Sequence, residues 1–469
     1  MKVICFVWKE IIITVKDFTK GNPIKVAILF AVSLAVTNAI SYLYSTVDSI
    51  MVGRMISTDA LAAIAVISPV LVIVNGLCSG IAIGCGIVTG QIFGSKDIKL
   101  LKKTMANIVF LLFIFMVAMT FICSFLCEDI VRIMNAPEDV FEMSYKYMKI
   151  LFMTLLLSTV PLMGSSIFRS LGDNRTPLII SMISGALNVV FNYLFIGILK
   201  TGIEGAAYGT VCSRIFSNIA YLIVYFKKMD IIHFSLRESK LSFTIIRKLF
   251  ITGIPIGIQT SITFCGSSVL QSALNTYGKT VVTGVTVADK LISIIWIIIE
   301  SLGTTMIYFC AQNKGANRID RIKKGVPGII ATAIVISAVM SLMAVFYGKY
   351  FITLFVEKSP EIIEISEKFI IIQLSFFIFV ATLPILRGSV QGMGYTKVAV
   401  ICGFIELIPR ILISLFFSYK LEYLYFAAPI AWVLASLFLL AIYPVVIRKT
   451  ISESILFNEK ISIEEKSRC

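Results

Sequence analysis

Charge is what this sequence has little of. Only 15% of its 469 residues are charged, and a single histidine, His233, is present. A soluble chain needs about 25% charged residues to cover its surface, so a soluble, disordered or fibrous protein is excluded. One histidine, placed in a polar loop, leaves no material for a histidine metal site or proton relay. The ten cysteines form no CxxC pair, and most lie inside apolar runs, so neither a zinc site nor a disulfide scaffold is expected. Cys123 and Cys127 share a helix face and read as small buried residues. No nucleotide-binding loop, metal triad or nucleophile–base pair is visible, so the chain is not expected to be an enzyme and needs no cofactor. What is abundant is apolar surface: 58% of the residues, with a mean hydropathy of +0.93. Runs of this length are helices rather than barrel strands, and the chain reads as a polytopic α-helical membrane protein.

Twelve apolar segments, each near or above the roughly 20 residues needed to cross a bilayer, run approximately over 27–52, 60–89, 104–126, 142–166, 177–199, 204–226, 249–275, 281–310, 327–350, 362–386, 396–419 and 423–447. The first follows Lys20 and Lys25 without a small-residue cleavage site and should remain as a span. An even number of spans puts both termini on one side. Of 42 Lys and Arg, 29 fall on that side and 11 on the other, which makes the termini cytoplasmic. The same rule explains the net charge of +15 without invoking nucleic acid. The expected organisation is a six-helix bundle over 1–226, a cytoplasmic linker over 227–248, a second six-helix bundle over 249–447 and a cytoplasmic tail over 448–469. A monomer in lipid, meeting small organic substrates, is the expected state.

The halves repeat. Residues 91–103 align without a gap on residues 312–324: Gln91 falls on Gln312, Gly94 on Gly315, and Lys102–Lys103 on Lys323–Lys324. Gly172 falls on Gly394 at nearly the same offset. Six spans per half makes these parallel repeats, the build of transporters that alternate access between two halves.

An ionisable group inside a span is costly and is a functional candidate by default. Asp48 is the acid of the first six spans. It continues a polar stripe of Thr37, Ser41 and Ser45 at helical spacing, and a carboxylate there can exchange a proton or a cation. Asn188 and Asn192 share a face of the fifth span, and Thr210 follows in the sixth, with Ser213 and Arg214 nearby. Amide and hydroxyl oxygens suit a hard monovalent cation; glue between helices is the other reading of the asparagines. In the second half, Asp289 and Glu300 lie about three turns apart on one helix, a candidate second ion or substrate path. Glu406 and Arg410, at i and i+4, read as a structural ion pair. Among the 34 Phe, 17 Tyr and 17 Met, some are expected to line a cavity for flat cations.

Several motifs in order resemble the multidrug and toxic compound extrusion (MATE) family. They are Val47-Asp48-Ser-Ile-Met-Val-Gly53-Arg54, the Gln91 and Gln312 segments, and Arg169-Ser-Leu-Gly-Asp-Asn-Arg-Thr-Pro177. Asn188, Gly205-Ala-Ala-Tyr-Gly-Thr210, Gln391-Gly-Met-Gly-Tyr-Thr-Lys397 and Ala428-Pro-Ile-Ala-Trp432 complete the set. The resemblance covers roughly residues 25–447. It implies an all-α integral membrane protein, twelve transmembrane helices in two six-helix repeats around a central cavity. It also implies export of organic, often cationic, compounds by antiport against Na+ or H+. In sodium-coupled relatives the ion site maps to Asp48, Asn188, Asn192 and Thr210. Here one of the family's acids is an amide, Asn192, which leaves a single carboxylate for a proton or a weaker sodium site. Ser33 stands where many relatives have a proline. A flippase for lipid-linked sugars, from the same broad superfamily, is the alternative; it would want more cationic residues in the cavity.

Overall fold

The computed structural model of the chain describes residues 17–134, 136–228, 241–353 and 359–468. His233 and most of the expected linker fall outside the described residues. Among the described residues there is no strand. The helices are α1 (Pro23–Met55), α2 (Thr58–Gly94), α3 (Ile98–Phe125), α4 (Cys127–Ile133), α5 (Glu138–Met153), α6 (Leu155–Ser170), α7 (Arg175–Asn192) and α8 (Ile203–Lys228). They continue as α9 (Phe243–Asn275), α10 (Lys279–Gly315), α11 (Ile319–Thr353), α12 (Pro360–Ser375), α13 (Phe377–Gly392), α14 (Thr396–Phe416), α15 (Leu421–Tyr425) and α16 (Ala427–Arg468). Ten of these segments are long and apolar enough to cross a membrane on their own, and twelve when two bent pairs each count as one span.

The bent pairs differ from the straight spans read at 142–166 and 362–386. α5 and α6 meet at 53°, and α12 and α13 at 54°. Hydroxyls that bond back to the preceding turn compete with the helix at each break and favour a bend. The Thr154 hydroxyl donates to the Ile150 carbonyl at 2.8 Å, and the Ser375 hydroxyl to the Ile371 carbonyl at 2.7 Å.

The chain forms two compact units. The first is built mainly from Ser33–Phe93 and Asp97–Gly257, the second from Phe18–Val32, Gly94–Lys96 and the chain from Ile258 onward. The repeat is expressed in their hydrogen bonds. In the first unit the Ser144 hydroxyl donates to the Ala63 carbonyl at 3.1 Å; in the second, Ser366 donates to the Gly284 carbonyl at 2.8 Å. Gly172 and Gly394 both end a helix in the left-handed region, at φ 85° and 89°, where a side chain would be strained. Each is followed by the same closing bond, from the Asp173 amide to Phe168 and from the Tyr395 amide to Val390.

In the first unit, Gly80 and Gly84 of α2 lie against Gly253 and Gly257 at the start of α9, backbone on backbone. A Cβ added at Gly253 would sit 2.8 Å from the Ile81 Cα. Small residues four apart let membrane helices approach this closely, and packing rather than water exclusion then holds them. The free cysteines Cys123 and Cys127 are buried in the core of this unit, as expected, but they sit on two helices, α3 and α4, because the helix breaks at Leu126, and so do not share one helix face.

In the second unit, Gln312 has a structural task. Its side-chain oxygen accepts from the Phe18 amide at 3.0 Å, and Asn313 and Arg321 bond the Phe18 carbonyl at 3.2 and 2.9 Å. This ties down the segment that enters α1.

The same unit contains a buried charge network that corrects the expected Glu406–Arg410 pair. Glu406 accepts from Arg387 Nη1 at 2.9 Å, and Arg387 Nη2 lies 3.7 Å from Glu300 Oε2. Arg410 instead donates Nη1 to the Thr263 carbonyl at 3.2 Å and contacts the Ser267 hydroxyl at 3.4 Å. The physical reason is reach. α13 runs on to Gly392, so Arg387 is a span residue with 11% of its side chain exposed, and it projects between the two acids. A span ending at 386 places it in a loop.

Two outcomes follow. Arg387→Ala leaves Glu406 buried without its cation and should lower stability by about 3 kcal/mol, seen as a fall in the melting temperature of the detergent-solubilised protein; the double variant Arg387→Leu with Glu406→Leu should recover only part of that loss, since Glu300 also loses its cation. Gly253→Val should destabilise by clash with α2, whereas Gly253→Ala should be milder; equal melting temperatures for all three residues would contradict the close packing.

Candidate functional site

The first unit encloses a polar cavity of about 550 Å³. The stripe on α1 lines it as the spacing predicts, with Thr37, Ser41, Ser45 and Asp48 all on its wall. α7 contributes Asn188, and α8 contributes Thr210, Ser213, Arg214 and Ser217. α1 has no proline to bend it and runs unbroken for 33 residues.

Asn192 does not line the cavity but stands behind Asp48, fully buried. Its side-chain amide donates to Asp48 Oδ1 and lies 3.4 Å from Asn188 Oδ1. Its own carbonyl oxygen is buried without a partner and abuts the Gly209 backbone, where any Cβ would collide with it. Gly209 is therefore required for the amide to sit here. The turn that follows, Tyr193–Ile198, is a π-helix, a form that recurs at functional sites because it re-aims neighbouring side chains. The Thr210 hydroxyl donates to the Ala206 carbonyl at 3.1 Å, which leaves its oxygen lone pairs available. Ser41, Ser184 and Ser213 likewise donate to backbone carbonyls. The structure thus brings Asp48, Asn188, Asn192 and Thr210 to one region, with acceptor oxygens around one carboxylate. Such a set can hold a proton or a small cation.

The Arg169–Pro177 motif supports the same cavity. Arg169 lines it and donates Nε to Asn174 Oδ1 at 3.0 Å. Asn174 in turn donates to the Ser33 hydroxyl at 3.0 Å, so Ser33 ties α1 to the motif. Asp173 accepts from the Arg175 and Thr176 amides at 2.9 and 3.1 Å, capping α7. Burial pushes the Asp173 carboxyl above its ordinary range, opposed by these hydrogen bonds. Sequence reading placed Arg169 in a loop and so missed it as a cavity residue. The signal was available: no helix stop precedes Gly172.

Asp289 and Glu300 are not brought into one site. Asp289 stands exposed on α10, while Glu300 belongs to the Arg387 network.

Comparison with known proteins places the chain in a family. The sequence profile of the MatE family matches twice, over residues 33–194 and 255–416, 222 residues apart. The chain is similar to the probable multidrug resistance protein YpnP of Bacillus subtilis, 29% identical over 81% of this chain and 84% of that one. It is also similar to the multidrug export protein MepA of Staphylococcus aureus, 22% identical over 84% and 88%. Among solved structures, an outward-facing multidrug resistance MATE family transporter of the MOP superfamily superposes with a TM-score of 0.86 at 18% identity, covering 94% of this chain and 99% of that one. That likeness shows a shared fold, and with the doubled profile match it establishes that the chain belongs to the MatE family.

Proposed function

We propose that this protein is a secondary antiporter of the cell membrane that exports organic compounds, drugs among them, and that Asp48 exchanges the coupling ion, Na+ or H+. The observation that carries the reading is the placement of Asp48. It is the one carboxylate on the wall of the cavity in the first unit, backed by Asn192 and ringed by acceptor oxygens. A lone carboxylate at membrane depth gains from whichever cation reaches it, and this drives exchange. The names of the relatives support export of drugs. The bias of Lys and Arg supports cytoplasmic termini.

Asp48→Asn is nearly isosteric and removes only the charge. In proteoliposomes it should abolish dye efflux driven by a sodium or pH gradient while the protein elutes normally; gradient-driven efflux that persists in this variant overturns the assignment. Asn192→Asp places a second carboxylate beside the first. If sodium is the coupling ion, it should lower the sodium concentration for half-maximal efflux by about tenfold, since cation affinity rises with ligand charge. An unchanged or higher concentration speaks against sodium at this position.

A further inference from the structure

The cavity of the first unit has an excess of positive charge that ion coupling does not use. Asp48 is its one acidic wall residue, against two guanidinium groups, Arg169 and Arg214. Arg169 has a neutral partner in Asn174. Arg214 lies mid-way along α8 on the face that carries Thr210, Ser213 and Ser217. The neutral phenols of Tyr44 and Tyr147 lie near it, and among the described residues it makes no ion pair. Asp48 spends Oδ1 on Asn192 rather than on Arg214.

In the second unit buried arginines are held by acids or by backbone carbonyls: Arg387 lies between Glu300 and Glu406, and Arg410 donates to the Thr263 carbonyl. Among the described residues Arg214 has neither arrangement. A guanidinium keeps its charge at any physiological pH, and holding one in a membrane cavity without a counter-charge is costly. The missing counter-charge belongs to something that enters the cavity.

We propose that Arg214 receives an acidic group of the transported compound, a carboxylate above all, so that the preferred substrates are organic zwitterions or anions. The fork of a guanidinium matches a carboxylate in two parallel hydrogen bonds. Tyr44 and Tyr147 supply aromatic surface on the wall of the cavity that also carries Arg214 and Asp48. The hydroxyl and amide oxygens near Asp48 suit the cationic end of a zwitterion. A purely cationic compound meets Arg214 as a like charge. The inference rests on the cavity being the transport site and refines the family expectation of cationic substrates.

A matched dye pair tests it: a rhodamine with a free carboxylate and its methyl ester, which differ in that one charge. Dissociation constants are measured by fluorescence anisotropy on the full chain in lipid nanodiscs, without any ion gradient. The wild-type protein should bind the free acid about tenfold more tightly than the ester. Arg214→Gln should bring the acid down to the affinity of the ester, and Arg214→Lys should keep part of the preference by retaining charge without the fork. Equal binding of acid and ester by the wild type, no binding of the acid, or a preference that survives Arg214→Gln overturns the proposal. The wild-type comparison decides even where a variant fails to fold. Gradient-driven efflux of the two dyes is read separately: a binding preference without any efflux contradicts the antiporter reading and leaves this one standing.

Discussion

The structure turns on the cost of holding charge away from water. A chain with this little charge places few ionisable groups in its spans, and each has to be neutralised by a partner, by a proton or by a solute. The two units solve the same problem differently. In the second, Arg387 draws Glu300 and Glu406 together, and the network closes on itself. In the first, Asp48 has an amide partner and no cation, while Arg214 lacks an ion pair among the described residues. A closed network stabilises a fold. An open one is available to ions and substrates, which is why the first unit carries the functional reading.

Duplication gave the units a common framework on which this difference was laid. The hydroxyl bonds of Ser144 and Ser366 and the left-handed glycines Gly172 and Gly394 are the same device made twice. They fix where helices end and meet. The charges on the cavity wall do not repeat with it: at the 222-residue offset of the doubled profile match, Asp48 corresponds to Leu270, Arg169 to Gln391 and Arg214 to Ser436.

Much of this was legible in the sequence. The spans, the repeat and the stripe from Thr37 to Asp48 follow from hydropathy and helical spacing, which depend on neighbours in the chain. What escaped depends on geometry across the chain. Arg387 looked like a loop residue because hydropathy falls at any charge, whether or not the helix ends there. Glu406 and Arg410 looked like a pair because spacing cannot show a third residue competing for the acid. Arg169 looked cytoplasmic for the same reason as Arg387. The bends at Thr154 and Ser375 left no mark in hydropathy, since the apolar run continues through them. The contact of Asn192 with Gly209 was equally hidden: a glycine in a helix does not announce which side chain needs its space.

The claim on which the account depends is that Asp48 exchanges the coupling ion. Charge movement reports this directly. Proteoliposomes adsorbed on a solid-supported membrane are exposed to a sodium step or a pH step, and the transient current is recorded. The account predicts a current under one of the two steps in the wild type and its loss in Asp48→Asn. An undiminished current in that variant would place ion exchange elsewhere in the molecule and contradict it.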